Sequence, residues 1–61
     1  MCLSAVYEII NGNERLVSEH VSAINLKDDL ITLTDLMGEE TVIKGSLKSI
    51  DLVKNIIKID T

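Results

Sequence analysis

The chain has no tryptophan, phenylalanine or proline, and only one tyrosine (Tyr7), one histidine (His20) and one cysteine (Cys2) in 61 residues. Each scarcity removes a class of function. Proteins of this size that hold nucleic acid stack bases on several aromatic side chains or offer a basic groove. Six basic residues against ten acidic ones leave a net charge of −4, which repels phosphate backbones. Nucleic acid is therefore not the expected partner. A single cysteine closes no internal disulfide, and no separated Cys/His pairs mark a structural zinc site. No apolar run reaches the length of about 18 residues that a transmembrane helix needs. The start lacks the basic, apolar and small-residue order of a signal peptide, so export is not expected. A free thiol fits the reducing cytoplasm. A nucleophile beside a base, a glycine-rich phosphate loop and a paired catalytic acid and base are all missing, so the chain does not read as an enzyme.

What the chain has in quantity is aliphatic side chains: nine isoleucines, eight leucines and five valines. A chain this short is one domain, spanning residues 1–61. It buries only about 60% of the surface its unfolded form exposes. Ordering it costs on the order of 1.5 kcal/mol per residue, which one small core roughly balances. Doublets such as Ile9, Ile10 and Ile56, Ile57 place apolar groups on both faces of a strand. Both faces cannot be core in so small a domain, and a homodimer interface is the economical explanation.

The opening residues 2–10 are rich in strand formers, with Leu3, Ala5, Tyr7 and Ile9 sharing one face by the period of two. That face is the expected inward one, with Tyr7 in the core. Asn11 and Gly12 follow, a turn pair that tolerates positive φ twice. A return strand over residues 15–21 leads to an alternating stretch at 22–26, which closes at Lys27, Asp28 and Asp29. Residues 30–35 form the clearest strand, with Ile31 and Leu33 inward and Thr32 and Thr34 opposite. Gly38 takes the positive-φ position of the next turn, and Gly45 marks a bulge or sharp bend in a curved ribbon. The tail, with Leu47, Ile50, Val53 and Ile57, approximates helical spacing from a cap at Ser46. Its β-branched side chains favour two short strands joined at Lys54 and Asn55. The fold class is all-β: five or six short antiparallel strands closing into a small barrel, which removes exposed edges.

Chemistry concentrates at Cys2. A lone cysteine can be a small buried hydrophobe. Its place behind Met1 offers another role, because the Met1 amine, the Cys2 amide nitrogen and the Cys2 sulfur can close two fused five-membered chelate rings. With Met1 removed, the Cys2 amine and thiolate form a bidentate pair, and two such pairs across a dimer axis make an N2S2 set. Such donors in a square plane suit Ni(II) or Cu(II), and binding would release the thiol proton. His20 reads first as an unassigned surface imidazole; as a further ligand it needs the second strand to end near the N-terminus. Met37 reads as loop or interface packing, with a thioether ligand role as the alternative. The adjacent acids Asp28, Asp29 and Glu39, Glu40 read as solvated turn charge.

Met1-Cys2-Leu3-Ser4, with Val6 and Tyr7, the Asp35-Leu36-Met37-Gly38-Glu39-Glu40 turn, and Ile50-Asp51-Leu52-Val53 with Asn55 and Ile57, together resemble the CooT family of very small proteins. The likeness runs from Met1 to about Asp60. It implies an SH3-like small β-barrel and a homodimer. The founding type is an accessory protein that delivers nickel to carbon monoxide dehydrogenase, and its ligand is the cysteine directly after the initiator methionine, from both subunits. By that resemblance the nickel ligand here is Cys2 with its backbone nitrogens. Family members are also labelled predicted RNA-binding proteins, an analogy from fold that the acidic charge opposes. The founding type has a histidine-containing C-terminal extension, whereas no histidine follows His20 here.

Overall fold

Residues that accept a positive φ punctuate the chain: Asn11 (52°) and Gly12 (80°), Asp28 (56°), Gly38 (83°) and Asn55 (57°). A computed structural model describes residues 4–61, and between these reversals it places six strands and no helix. They are β1 (Ser4–Ile10), β2 (Asn13–Lys27), β3 (Leu30–Asp35), β4 (Glu40–Lys44), β5 (Ser46–Asp51) and β6 (Ile56–Asp60). The two consecutive positive φ angles at Asn11 and Gly12 give the tight reversal that suits the twist of the flanking strands, with Ile10 paired to Asn13. The tail is two strands, as its β-branched content requires.

The strands form one sheet in the order β4-β3-β2-β1-β6-β5. Neighbours are antiparallel except β1 and β6, which run parallel. The return strand and the alternating stretch after it are a single 15-residue β2. Its first part pairs with β1 and its last part with β3, and the switch falls at Val21, which pairs with both Ser4 and Asp35. From Leu16 to Val21 β2 takes five residue steps against three on β1, from Tyr7 to Ser4. Such extra residues bend a strand, so β2 folds over the core and its β2–β3 turn reaches the far end of β6. There the Gly45 amide donates to the Asp29 carbonyl at 2.8 Å.

The sheet therefore wraps on itself, in keeping with an SH3-like barrel, but hydrogen bonds do not close it. β4 and β5 are its two edges, and they are consecutive in sequence, joined through Gly45 alone. Gly45 is required there because a Cβ would stand 2.7 Å from the Asp60 carbonyl oxygen. Lys44 at the end of β4, and Lys48 at an irregularity in the β5 ladder, blunt these edges.

Six side chains, Val6, Val21, Ile31, Leu33, Ile57 and Ile59, make the core, with Val17, Ile24 and Ile43 packed against it. Ile31 and Leu33 point inward, as their alternation requires. On β1 the inward face is the opposite of the expected one. Val6 and Glu8 are buried, whereas Ala5, Tyr7 and Ile9 are half-buried on the other face. Pairing decides this, since Val6 and Glu8 stand beside the buried Ile57 and Ile59 of β6. Glu8 is tolerated because Arg15, its cross-strand neighbour, bonds its carboxylate.

Candidate functional site

Cys2 lies outside the described residues. The structure establishes instead the anchor from which that segment extends. Ser4 pairs with Val21, and the Ala5 amide donates to the Asn55 carbonyl at 2.9 Å. β1 thus starts at the end of the fold where β2 bends, β3 terminates and β6 begins. Two turns share that end: residues 36–39 between β3 and β4, and residues 52–55 between β5 and β6. Call it the upper end. The lower end carries Asn11 and Gly12, the β2–β3 turn and Gly45.

His20 immediately precedes Val21, and its carbonyl accepts the Leu36 amide at 2.9 Å. The second strand does not end there, as the ligand role for His20 required; it passes Ser4 at Val21 and runs on to Lys27 at the other end of the fold. Met37, in the next turn, is 88% exposed. The fold brings His20 and Met37 to the same end as Ser4, but among the described residues no three His, Cys, Asp or Glu side chains are grouped to hold a metal ion. Asp28, Asp29 and Glu39 are exposed turn charges as expected, whereas Glu40, also exposed, opens β4 and pairs with Thr34. Asp29 faces Lys44 at 3.7 Å, at the lower end.

Two aspartates that the sequence reading left without a role build the upper turns. Asp35 Oδ1 accepts the amides of Met37 and Glu39, both at 2.9 Å. Asp51 Oδ1 accepts those of Val53 and Lys54, both at 3.0 Å. These side-chain-to-backbone bonds hold each turn in one conformation. The repeated triplets Asp35-Leu36-Met37 and Asp51-Leu52-Val53 were the available signal. Each aspartate ends a strand and presents two apolar residues to solvent: Leu36 and Met37 at 66% and 88% exposure, Leu52 and Val53 at 81% and 93%.

Half of the basic side chains are committed to carboxylates: Arg15 to Glu8, Lys44 to Asp29 and Lys58 to Glu14. The others, Lys27, Lys48 and Lys54, sit on β2, β5 and the 52–55 turn. No helix is long and apolar enough to cross a membrane.

A family model described as CO dehydrogenase accessory protein CooT matches residues 1–60. The chain belongs to the CooT family. Its fold is also similar to a crystal structure assigned as CooT from Carboxydothermus hydrogenoformans, with a TM-score of 0.85 at 24% identity over 97% of this chain and 95% of that one. No curated protein matches the chain. The CooT match includes Cys2.

Proposed function

We propose that the protein is a nickel-binding accessory protein of the cytoplasm, a homodimer in which Cys2 of both copies holds one Ni(II) for delivery to a client enzyme such as CO dehydrogenase. Its task is carriage, not catalysis. The observation that carries this reading is the CooT match over residues 1–60, which takes in the one thiol of the chain. The chemistry agrees with it. One chain supplies a single thiolate and its adjacent backbone nitrogens, half of a square-planar N2S2 set, and a second copy supplies the rest. The RNA-binding alternative loses support from the −4 charge and from the pairing of half the basic groups with carboxylates.

The test is a titration of the reduced, tag-free protein with Ni(II), followed by thiolate-to-nickel absorption and native mass spectrometry. Saturation at one metal per two chains is expected, lost in Cys2→Ala with the fold unchanged. A titration without a thiolate band would sink the nickel reading.

A further inference from the structure

Asparagine is chemically labile where the next backbone nitrogen can reach its side-chain carbonyl carbon and close a five-membered ring. The following side chain and the folded backbone stand in the way. Of the four asparagines in the chain, three are guarded. Asn13 precedes Glu14 and is paired to Ile10 in the β1–β2 ladder. Asn25 precedes Leu26 and is paired to Thr32 in the β2–β3 ladder. Asn55 precedes the β-branched Ile56, and its carbonyl accepts the Ala5 amide at 2.9 Å.

Asn11 differs on each count. The residue after it is Gly12, where an added Cβ would meet nothing within 4 Å, so the approach to the nitrogen is open. Both residues are exposed and lie in the turn, outside the ladders. Among the described residues the Gly12 amide donates to no backbone acceptor and the Asn11 side chain makes no hydrogen bond.

We propose that Asn11 is a site of spontaneous covalent modification, deamidation and isomerisation through Gly12, whose isoaspartate product undoes the β1–β2 reversal. The Gly12 nitrogen loses its proton and attacks Asn11 Cγ. The new N–Cγ bond forms, the Cγ–Nδ2 bond breaks, and ammonia leaves with that proton. Solvent water then opens the cyclic imide at either carbonyl, giving aspartate or isoaspartate. Ring closure requires rotation about the Asn11 Cα–C bond, out of the left-handed turn that its φ of 52° marks. The reaction therefore runs through opening of the hairpin tip.

The product matters because Asn11 and Gly12 are the whole link between Ile10 and Asn13. In isoaspartate the main chain runs through the side-chain carbon, which lengthens that link by one atom and ends its fit to a two-residue reversal. The reversal sets Ile9 opposite Glu14 and Glu8 opposite Arg15. Arg15 is the partner of the buried Glu8 carboxylate, so a change at the exposed tip reaches the edge of the core.

The test is ageing of the reduced full chain in warm buffer at neutral and mildly alkaline pH. Mass-spectrometric peptide mapping follows each asparagine, and enzymatic methyl transfer to the free α-carboxylate counts isoaspartate. Conversion at Asn11 should lead that at the other three, speed up with pH, and run faster in the guanidinium-unfolded chain. The isolated isoaspartate form should melt at least about 4 °C below the amide form, the shift that loss of one structural bond makes in a domain of this size. Asn11→Gly accepts the same positive φ without an amide, so its Tm should not fall on ageing. Freshly made Asn11→Asp carries the new charge on an ordinary backbone and should melt close to the native chain. Asn11 left intact while another asparagine converts would overturn the site. An isoaspartate form that melts with the native chain, or a fresh Asn11→Asp that shows the full loss, would overturn the structural consequence. A folded chain that converts as fast as the unfolded one would overturn the opening step.

Discussion

Gly45→Ala is expected to loosen the joint that holds the wrapped sheet together. Gly45 is the single residue between the two edge strands, and its backbone is not in the positive-φ region, so the substitution acts by contact alone. The new methyl carbon would stand 2.7 Å from the Asp60 carbonyl oxygen and 3.1 Å from Thr61 Cγ2. A comfortable carbon-to-oxygen approach is about 3.3 Å, so roughly 0.6 Å must open. Neither side yields easily. Asp60 is paired to Ile9 and Ser46, the Thr61 amide donates to Ile9 at 3.1 Å, and the Gly45 amide is itself bonded to Asp29. Overpacking of this kind costs about 1–3 kcal/mol. The stiffer unfolded chain returns about 0.4–1 kcal/mol. The net loss of about 1–2 kcal/mol corresponds to a fall in Tm of roughly 4–16 °C in a domain of this size. Thermal unfolding by circular dichroism measures it, at one fixed protein concentration for both chains. An unchanged or raised Tm would refute the close approach at this corner.

Leu33→Ala removes a fully buried side chain at the centre of the core and should cost about 2–5 kcal/mol, enough to unfold much of the population; a cooperative melt near the native Tm would contradict it. Arg15→Ala leaves the buried Glu8 carboxylate without its partner and should cost about 1–3 kcal/mol by urea unfolding. Lys58→Ala, which breaks the more exposed pair with Glu14, should cost no more than about 1 kcal/mol, and a reversed order would count against the burial argument. Asp51→Ala frees the amides of Val53 and Lys54 and should lower stability by about 0.5–2 kcal/mol, read from thermal melts. An unchanged Tm would show that these two bonds do not hold the turn.

Local chemistry determined much of this protein. Asn11 with Gly12, and Gly38, had to turn because few other residues accept positive φ at low cost. Ile31 and Leu33 had to face inward, because residues 31–34 alternate, although Leu30 breaks the pattern, and Thr32 and Thr34 hydrogen-bond or solvate more cheaply outside. The β-branched tail preferred strands to a helix for the same local reason. Cys2 stood out as the one thiol from composition alone, and family membership follows from the order of short landmarks along the chain.

Long-range pairing decided the rest. The alternation in β1 has apolar residues on both faces, so its pattern could not choose between Tyr7 and Val6. The parallel partner β6 chose, by bringing Ile57 and Ile59 beside Val6 and Glu8. Nothing in the spacing of Glu8 and Arg15 marks an ion pair until the tight Asn11 turn sets them opposite each other. Extra residues in β2, visible only against its partners' registers, bend the sheet and leave it wrapped without hydrogen-bonded closure. That bend also carries the upper end. Asp35 and Asp51 are 16 residues apart in sequence, and only the topology sets their turns on either side of Ser4. Strand and turn preferences act over a few residues, whereas the neighbours of a chain start depend on which strands pair, and that is settled by the whole core at once.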